Sequence, residues 1–124
     1  MIHSIIATIK AKSGQEAQFQ ACALELVVAV RASEPGCLLY TLSKGDDAST
    51  FVFMERYADE AALVAHRGTE HFKRLGRAMG AFMDGPPTVQ RWSRCHEAPP
   101  HAASTPDRSQ SPLMPARRIT SPQR

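Results

Sequence analysis

The sequence predicts an α+β domain built in the order β-α-β-β-α-β. Three observations carry that prediction. Short β-branched and aromatic runs recur at 2–10, 37–43, 50–57 and 88–94. Apolar residues fall at helical spacing over 15–33 and again between 59 and 84. Clusters of Gly, Pro, Ser and Asp separate the two kinds of segment.

Residues 2–10, IHSIIATIK, contain no breaker. Ile2 and Ile6 share one parity and Ile5 and Ile9 the other, which is the pattern of a strand covered on both faces. Ser13-Gly14 marks a turn. Over 15–33, Phe19, Ala23, Leu26 and Val30 form one helical stripe, with Gln15, Glu16 and Gln18 on the wet side. Glu34-Pro35-Gly36 stops that helix. CLLYTLS at 37–43 is a second strand, and Lys44-Gly45-Asp46-Asp47 is a hairpin connection. TFVFMERY at 50–57 is a third strand, apolar at both parities from Phe51 to Met54. Asp59 reads as an N-cap, with Glu60 in the first turn where the helix dipole favours it. The helix continues through Ala62, Leu63 and His66 until Gly68-Thr69 interrupts it. Thr69 can cap a further segment carrying Phe72, Leu75, Met79 and Phe82, which Asp84-Gly85-Pro86-Pro87 ends. TVQRWSR at 88–94 is the last strand.

This order is the split βαβ, or ferredoxin-like, pattern. Its helices cover only one face of a four-stranded sheet. The first and third strands read as apolar on both faces, so the uncovered face is expected to meet a second copy of the same sheet. The expected assembly is a homodimer, a dimeric α+β barrel.

Composition divides the 124 residues near position 95. Residues 1–95 hold all 7 glycines and 11 Lys+Arg against 10 Asp+Glu. Residues 96–124 hold 6 of the 9 prolines, only 7 apolar residues, and 4 Lys+Arg against 2 Asp+Glu. The expectation is one domain over 1–95 and a disordered, Pro/Ser-rich basic tail over 96–124, too poor in apolar surface to offset its ordering entropy. Most of the net charge of +3 therefore sits in the tail, and a near-neutral domain is poor support for nucleic-acid binding. No apolar run approaches the roughly 18 residues of a membrane span. Met1-Ile2-His3-Ser4 lacks the basic start of a secretory signal. Cys22, Cys37 and Cys95 are odd in number and without CxxC spacing, which reads as free thiols in a reducing, cytoplasmic setting.

No phosphate loop, nucleophile elbow or zinc spacing occurs, so neither a metal nor a cofactor is expected. Cys22 lies in an apolar helix and reads as a small packed residue. The two histidines are the best candidates for proton chemistry. His66 ends one helical stretch, and His71 sits in the first turn of the next, where the dipole favours neutral imidazole. The alternative is that either one merely packs or caps at the junction. Glu55 shares parity with Phe51, Phe53 and Tyr57, a costly place for a carboxylate unless it is paired. Its plainer explanation is an ion pair or hydrogen bond to a neighbouring strand. Tyr40 can donate to a ligand or simply join the core, and Trp92 reads as a packing residue.

At EPGCLLYTL, FVFMERYADEAALVAH and TEHFKRL the chain resembles the antibiotic biosynthesis monooxygenase (ABM) domain, which includes quinol monooxygenases. The residues that carry the likeness are Glu34, Gly36 and Cys37, then Glu55, Tyr57, Asp59, Ala62, Leu63 and His66, then Thr69, His71 and Phe72. The resemblance covers about residues 1–94. It implies a dimeric α+β barrel with a pocket between helices and sheet in each subunit. It also implies oxygenation of a quinol or polycyclic aromatic by O₂ without metal or flavin. In that case His66 and His71 are the expected base and orienting group, with Tyr40, Phe53, Glu55 and Phe72 against the substrate. The haem-degrading branch of the family uses an Asn, a Trp and a His where this chain has Ala7, His66 and Gly76, which argues against haem degradation. Some monooxygenase members also have Trp at the position of His66. Related members isomerise small sugar-like molecules. An isomerase and a non-enzymatic small-ligand-binding dimer are therefore the alternatives.

Overall fold

The computed structural model describes residues 1–95; the segment 96–124, expected above to be a disordered tail, lies outside the described residues. The elements are β1 (His3–Lys10), α1 (Glu16–Ser33), β2 (Cys37–Lys44), β3 (Thr50–Tyr57), α2 (Glu60–Gly68), α3 (Glu70–Gly80) and β4 (Thr88–Ser93). The sheet order is β2-β3-β1-β4, with every neighbouring pair antiparallel. β1 and β2 therefore run parallel with β3 between them, and α1 makes the crossover that parallel strands require. This is the ferredoxin-like α+β fold read from the sequence.

Register decides what faces the helices. Ile5 pairs with Glu55, Ala7 with Phe53 and Ile9 with Phe51, and all six are buried. The stripe Phe19, Ala23, Leu26 and Val30 of α1 is buried against them, with Leu75 and Met79 of α3. The Phe19 and Phe51 rings meet at 4.9 Å between centroids. A smaller cluster of Ile5, Tyr57 and Leu63 seats α2.

Both predicted caps form. The Asp59 side chain accepts from the Ala62 N–H at 2.8 Å. Thr69 adopts an extended backbone (φ −73°, ψ 154°), which breaks the helix between α2 and α3. Its hydroxyl donates to the His66 carbonyl at 2.8 Å and accepts from the Phe72 N–H at 3.2 Å. One side chain thus fixes the relative placement of His66 and Phe72.

Several expectations are corrected. α3 ends at Gly80, so Phe82 lies in a turn, where Met83 bridges back to Ala11. Ile2 falls outside β1, and the outward face of that strand is Ser4, Ile6 and Thr8, so only Ile6 is apolar there. Trp92 does not pack within the chain: it is 54% exposed and pairs with Ser4 on the uncovered face. Cys22 is half-buried against the core rather than enclosed.

Candidate functional site

A cavity of about 320 Å³ lies between the covered face of the sheet and the helices. Its floor is Ala7 and Ile9 of β1, Phe53 and Glu55 of β3, and Tyr40 of β2. Its roof is His66 and Arg67 of α2 with Phe72, Gly76 and Met79 of α3. A separate hollow of about 270 Å³ on the β2 edge, beside Val30, Arg31 and Leu38, contains neither histidine nor carboxylate.

His66 is 2% exposed. Its Nδ1 lies 2.9 Å and 3.1 Å from the two carboxylate oxygens of Glu34. A carboxylate only accepts, so Nδ1 carries the proton and the neutral ring presents an unprotonated Nε2. Nε2 makes no hydrogen bond among the described residues, and no enclosed side-chain nitrogen or oxygen there lacks a partner. Nε2 therefore opens on the cavity. The imidazole is boxed by Phe72 (4.8 Å between ring centroids), Tyr40 (5.3 Å) and Tyr57 (5.4 Å). Burial pushes its pKa below the usual 6.5, while the Glu34 carboxylate beside it pulls the other way. The net direction favours neutral imidazole, the form a general base needs.

The same carboxylate reaches His71, whose Nε2 lies 2.5 Å from Glu34 Oε2. His71 does not line the cavity; it bonds to the carboxylate that also holds His66. The sequence thus placed the two histidines near each other correctly, but only His66 faces the cavity. Glu34, absent from the expected site, joins them. It reads in sequence as part of a helix stop, and the signal that pointed to it was its place beside Gly36 and Cys37 in the family motif.

Gly36 explains how Glu34 gets there. A Cβ at this position would sit 2.7 Å from the Ala62 Cβ, so only glycine lets the turn after α1 lie against α2. The Ala58 N–H closes the contact on the Gly36 carbonyl at 2.9 Å.

Glu55 is buried on the cavity floor. Its partner is Tyr57 on its own strand, not a neighbouring strand and not a cation. The Tyr57 hydroxyl donates to Oε1 at 2.7 Å, as residues two apart on one strand share a face. Desolvation pushes the Glu55 carboxyl up to about 7, and the Tyr57 hydrogen bond and the Arg67 charge restrain the rise. Burial raises the Tyr40 and Tyr57 phenols above their ordinary range, so both stay protonated. The Tyr40 and Phe53 rings pack 5.4 Å apart, so Tyr40 is both a core residue and cavity wall. Tyr40, Phe53, Glu55, His66 and Phe72 thus meet at one cavity.

Among the described residues, no group of three or more His, Cys, Asp or Glu is placed to hold a metal ion. No helix there is long and apolar enough to cross a membrane.

The profile of the antibiotic biosynthesis monooxygenase family matches residues 2–78. A solved structure named as a candidate antibiotic biosynthesis monooxygenase, from Caulobacter crescentus, is 34% identical with a TM-score of 0.74. That match covers 77% of this chain and 91% of the other. A Pseudomonas aeruginosa protein is 32% identical with a TM-score of 0.70, over 77% of this chain and 95% of that one. A Mycobacterium tuberculosis protein is 25% identical with a TM-score of 0.73, over 80% and 100%. No curated protein is significantly similar in sequence. Fold, motif residues and profile agree, and the chain belongs to the antibiotic biosynthesis monooxygenase family.

Proposed function

We propose that the protein is a monooxygenase that oxidises a quinol or small polycyclic aromatic with O₂, drawing the redox chemistry from the substrate itself. The observation that carries this reading is His66: a neutral imidazole, oriented by Glu34, opening its free nitrogen on an aromatic-lined cavity. The cavity is at the lower end of the small-molecule range, which begins near about 300 Å³. It suits two or three fused rings against Phe53 and Phe72.

The substrate gives a proton to His66 Nε2. The resulting anion passes one electron to O₂, and the radical pair combines at carbon as a peroxide. The peroxide then loses water, so that the CH₂ group of an anthrone and O₂ become C=O and H₂O, and a quinol with a free ring C–H and O₂ become a hydroxyquinone and H₂O. An apolar site favours these steps by excluding water and fixing the reacting partners. His71 holds Glu34, Glu34 holds His66, and Tyr40 offers a hydroxyl to a substrate oxygen.

The test is O₂ uptake by the metal-free protein with menadiol or an anthrone. The expected outcome is a rate above autoxidation that His66→Ala suppresses. Binding of the quinone product without any turnover would point instead to a ligand-binding protein.

The same reading includes a homodimer built on the uncovered sheet face. That face carries Leu39, Met54 and Trp92, all exposed in the single chain, with Ile6 and Val52 half-buried. Apolar surface of this kind favours a second copy. Sedimentation of the wild type as a dimer, and of Met54→Lys as a monomer, is the expected result. A wild-type monomer at micromolar concentration would overturn it.

A further inference from the structure

One buried acid of the cavity wall has no part in that proton abstraction. Glu55 sits mid-sheet, paired in register with Ile5 on one side and Tyr40 on the other. It is 8% exposed and makes no ion pair among the described residues. Oε1 is taken by the Tyr57 hydroxyl. Oε2 makes no hydrogen bond there and is not an enclosed orphan atom, so it opens on the cavity. A carboxyl in such a place is expensive to ionise and gains no cation in return.

The charged and titratable groups around it are few. Its own strand supplies Tyr57, and β2 supplies Tyr40 and Cys37, whose thiol burial pushes up to about 11. The helix side supplies Arg67 and His66 from α2 and Glu34 from the end of α1. β1 places Ile5 opposite, and α3 lends the cavity Phe72, Gly76 and Met79, none of which titrates. The Tyr57 hydrogen bond and the charge of Arg67, an exposed side chain, favour the anion. Burial outweighs them and holds the Glu55 carboxyl up to about 7. His66 is displaced in the opposite direction. Two groups in one cavity whose environments favour opposite protonation roles identify an acid and a base.

We propose that Glu55 is the proton donor of this site, protonating the distal oxygen of the substrate hydroperoxide as its O–O bond breaks. This rests on the oxygenase reading of the same cavity. Glu55 lies on the sheet floor of the cavity and His66 on its helix roof, and Tyr40 and Tyr57 pack against the imidazole. A flat substrate held there has the base on one side and the acid on the other. In the step itself His66, having returned its first proton to the peroxide anion to give the hydroperoxide, removes the proton on the peroxide-bearing carbon, and that C–H electron pair becomes the second bond of the carbonyl. The O–O bond breaks, and the departing hydroxide takes the Glu55 proton and leaves as water. His66 ends one proton richer and Glu55 one poorer. Proton transfer between them through that water restores both. Without the donor, hydroxide would be released into an apolar cavity.

The test compares full-length wild type, Glu55→Gln and His66→Ala with anthrone as the probe, in single-turnover mixing followed by acid quench. Gln keeps the shape and still accepts from Tyr57 but has no proton to give. Glu55→Gln is expected to consume O₂ in the first turnover, to accumulate a peroxide that a peroxide-sensitive dye detects, and to form anthraquinone roughly 100-fold more slowly. His66→Ala is expected to fail earlier, at O₂ uptake. Wild-type kcat should fall as pH rises through about 7, and Glu55→Gln should lose that descending limb. Glu55→Asp should restore part of the rate. An unchanged kcat with the limb intact, or a raised KM alone, would overturn the proposal and leave Glu55 a binding or structural group. Absence of O₂ uptake by the wild type would overturn the oxygenase reading and this proposal with it.

Discussion

Glu34 and His66 lie 32 residues apart in the chain, yet the Glu34 carboxylate receives the His66 Nδ1–H at 2.9 Å. That bond sets the tautomer of the ring and turns its other nitrogen to the cavity. It also offsets part of the burial that lowers the His66 pKa. Replacing Glu34 with Gln is therefore expected to move the His66 pKa further down, and with it the ascending limb of the pH–rate profile. A loss of about 10- to 100-fold in kcat should accompany it, by analogy with the outer partners of ligating histidines. Titration of the His66 ring by NMR checks the first effect separately from the second.

Glu55 links the site to stability. Its folded pKa of about 7 is above its ordinary value of 4.5, so the folded state binds more protons than the unfolded one between those values. The stabilisation is fully present below pH 4.5 and is lost as pH rises through 7. The shift corresponds to roughly 3 kcal/mol at most. Glu55→Gln is expected to be more stable relative to wild type at pH 8 than at pH 4. Urea denaturation at the two pH values measures the difference.

Gly76 lines the cavity from the interior of α3, where a Cβ would meet nothing within 4 Å. No positive φ demands glycine there. Gly76→Ala should gain about 0.5–1 kcal/mol from helix propensity. Gly76→Phe should fill the cavity, weakening binding of anthraquinone more than of a two-ring quinone. Thermal melts and calorimetric titration check the pair.

Gly36 is the opposite case. Gly36→Ala drives a methyl into Ala62 and should cost about 1–3 kcal/mol. It should also separate Glu34 from His66 and so lower activity. The double variant Gly36→Ala with Ala62→Gly should recover both stability and rate, and kinetics on the three proteins decides it.

Local pattern was enough for the elements. The stripe Phe19, Ala23, Leu26 and Val30 and the parity of Phe51, Phe53, Glu55 and Tyr57 are periodicities of 3.6 and 2, and burial follows them directly. Asp59 and Thr69 were legible as caps because a cap bonds within three residues of itself. The site was only partly legible. His66, Glu55, Tyr40, Phe53 and Phe72 stood out through residue type or motif, but which atoms face the cavity depends on register and crossover. Those bring together positions dozens of residues apart. Glu34 looked like the end of a helix until the turn at Gly36 folded it against α2. His71 looked equivalent to His66, but it meets Glu34 and does not line the cavity. By itself the sequence determined the order of elements, their buried faces and the family. Only the tertiary structure decided that one carboxylate joins both histidines and that one of them reaches the ligand space, because hydrogen bonds between distant residues have no periodicity to read.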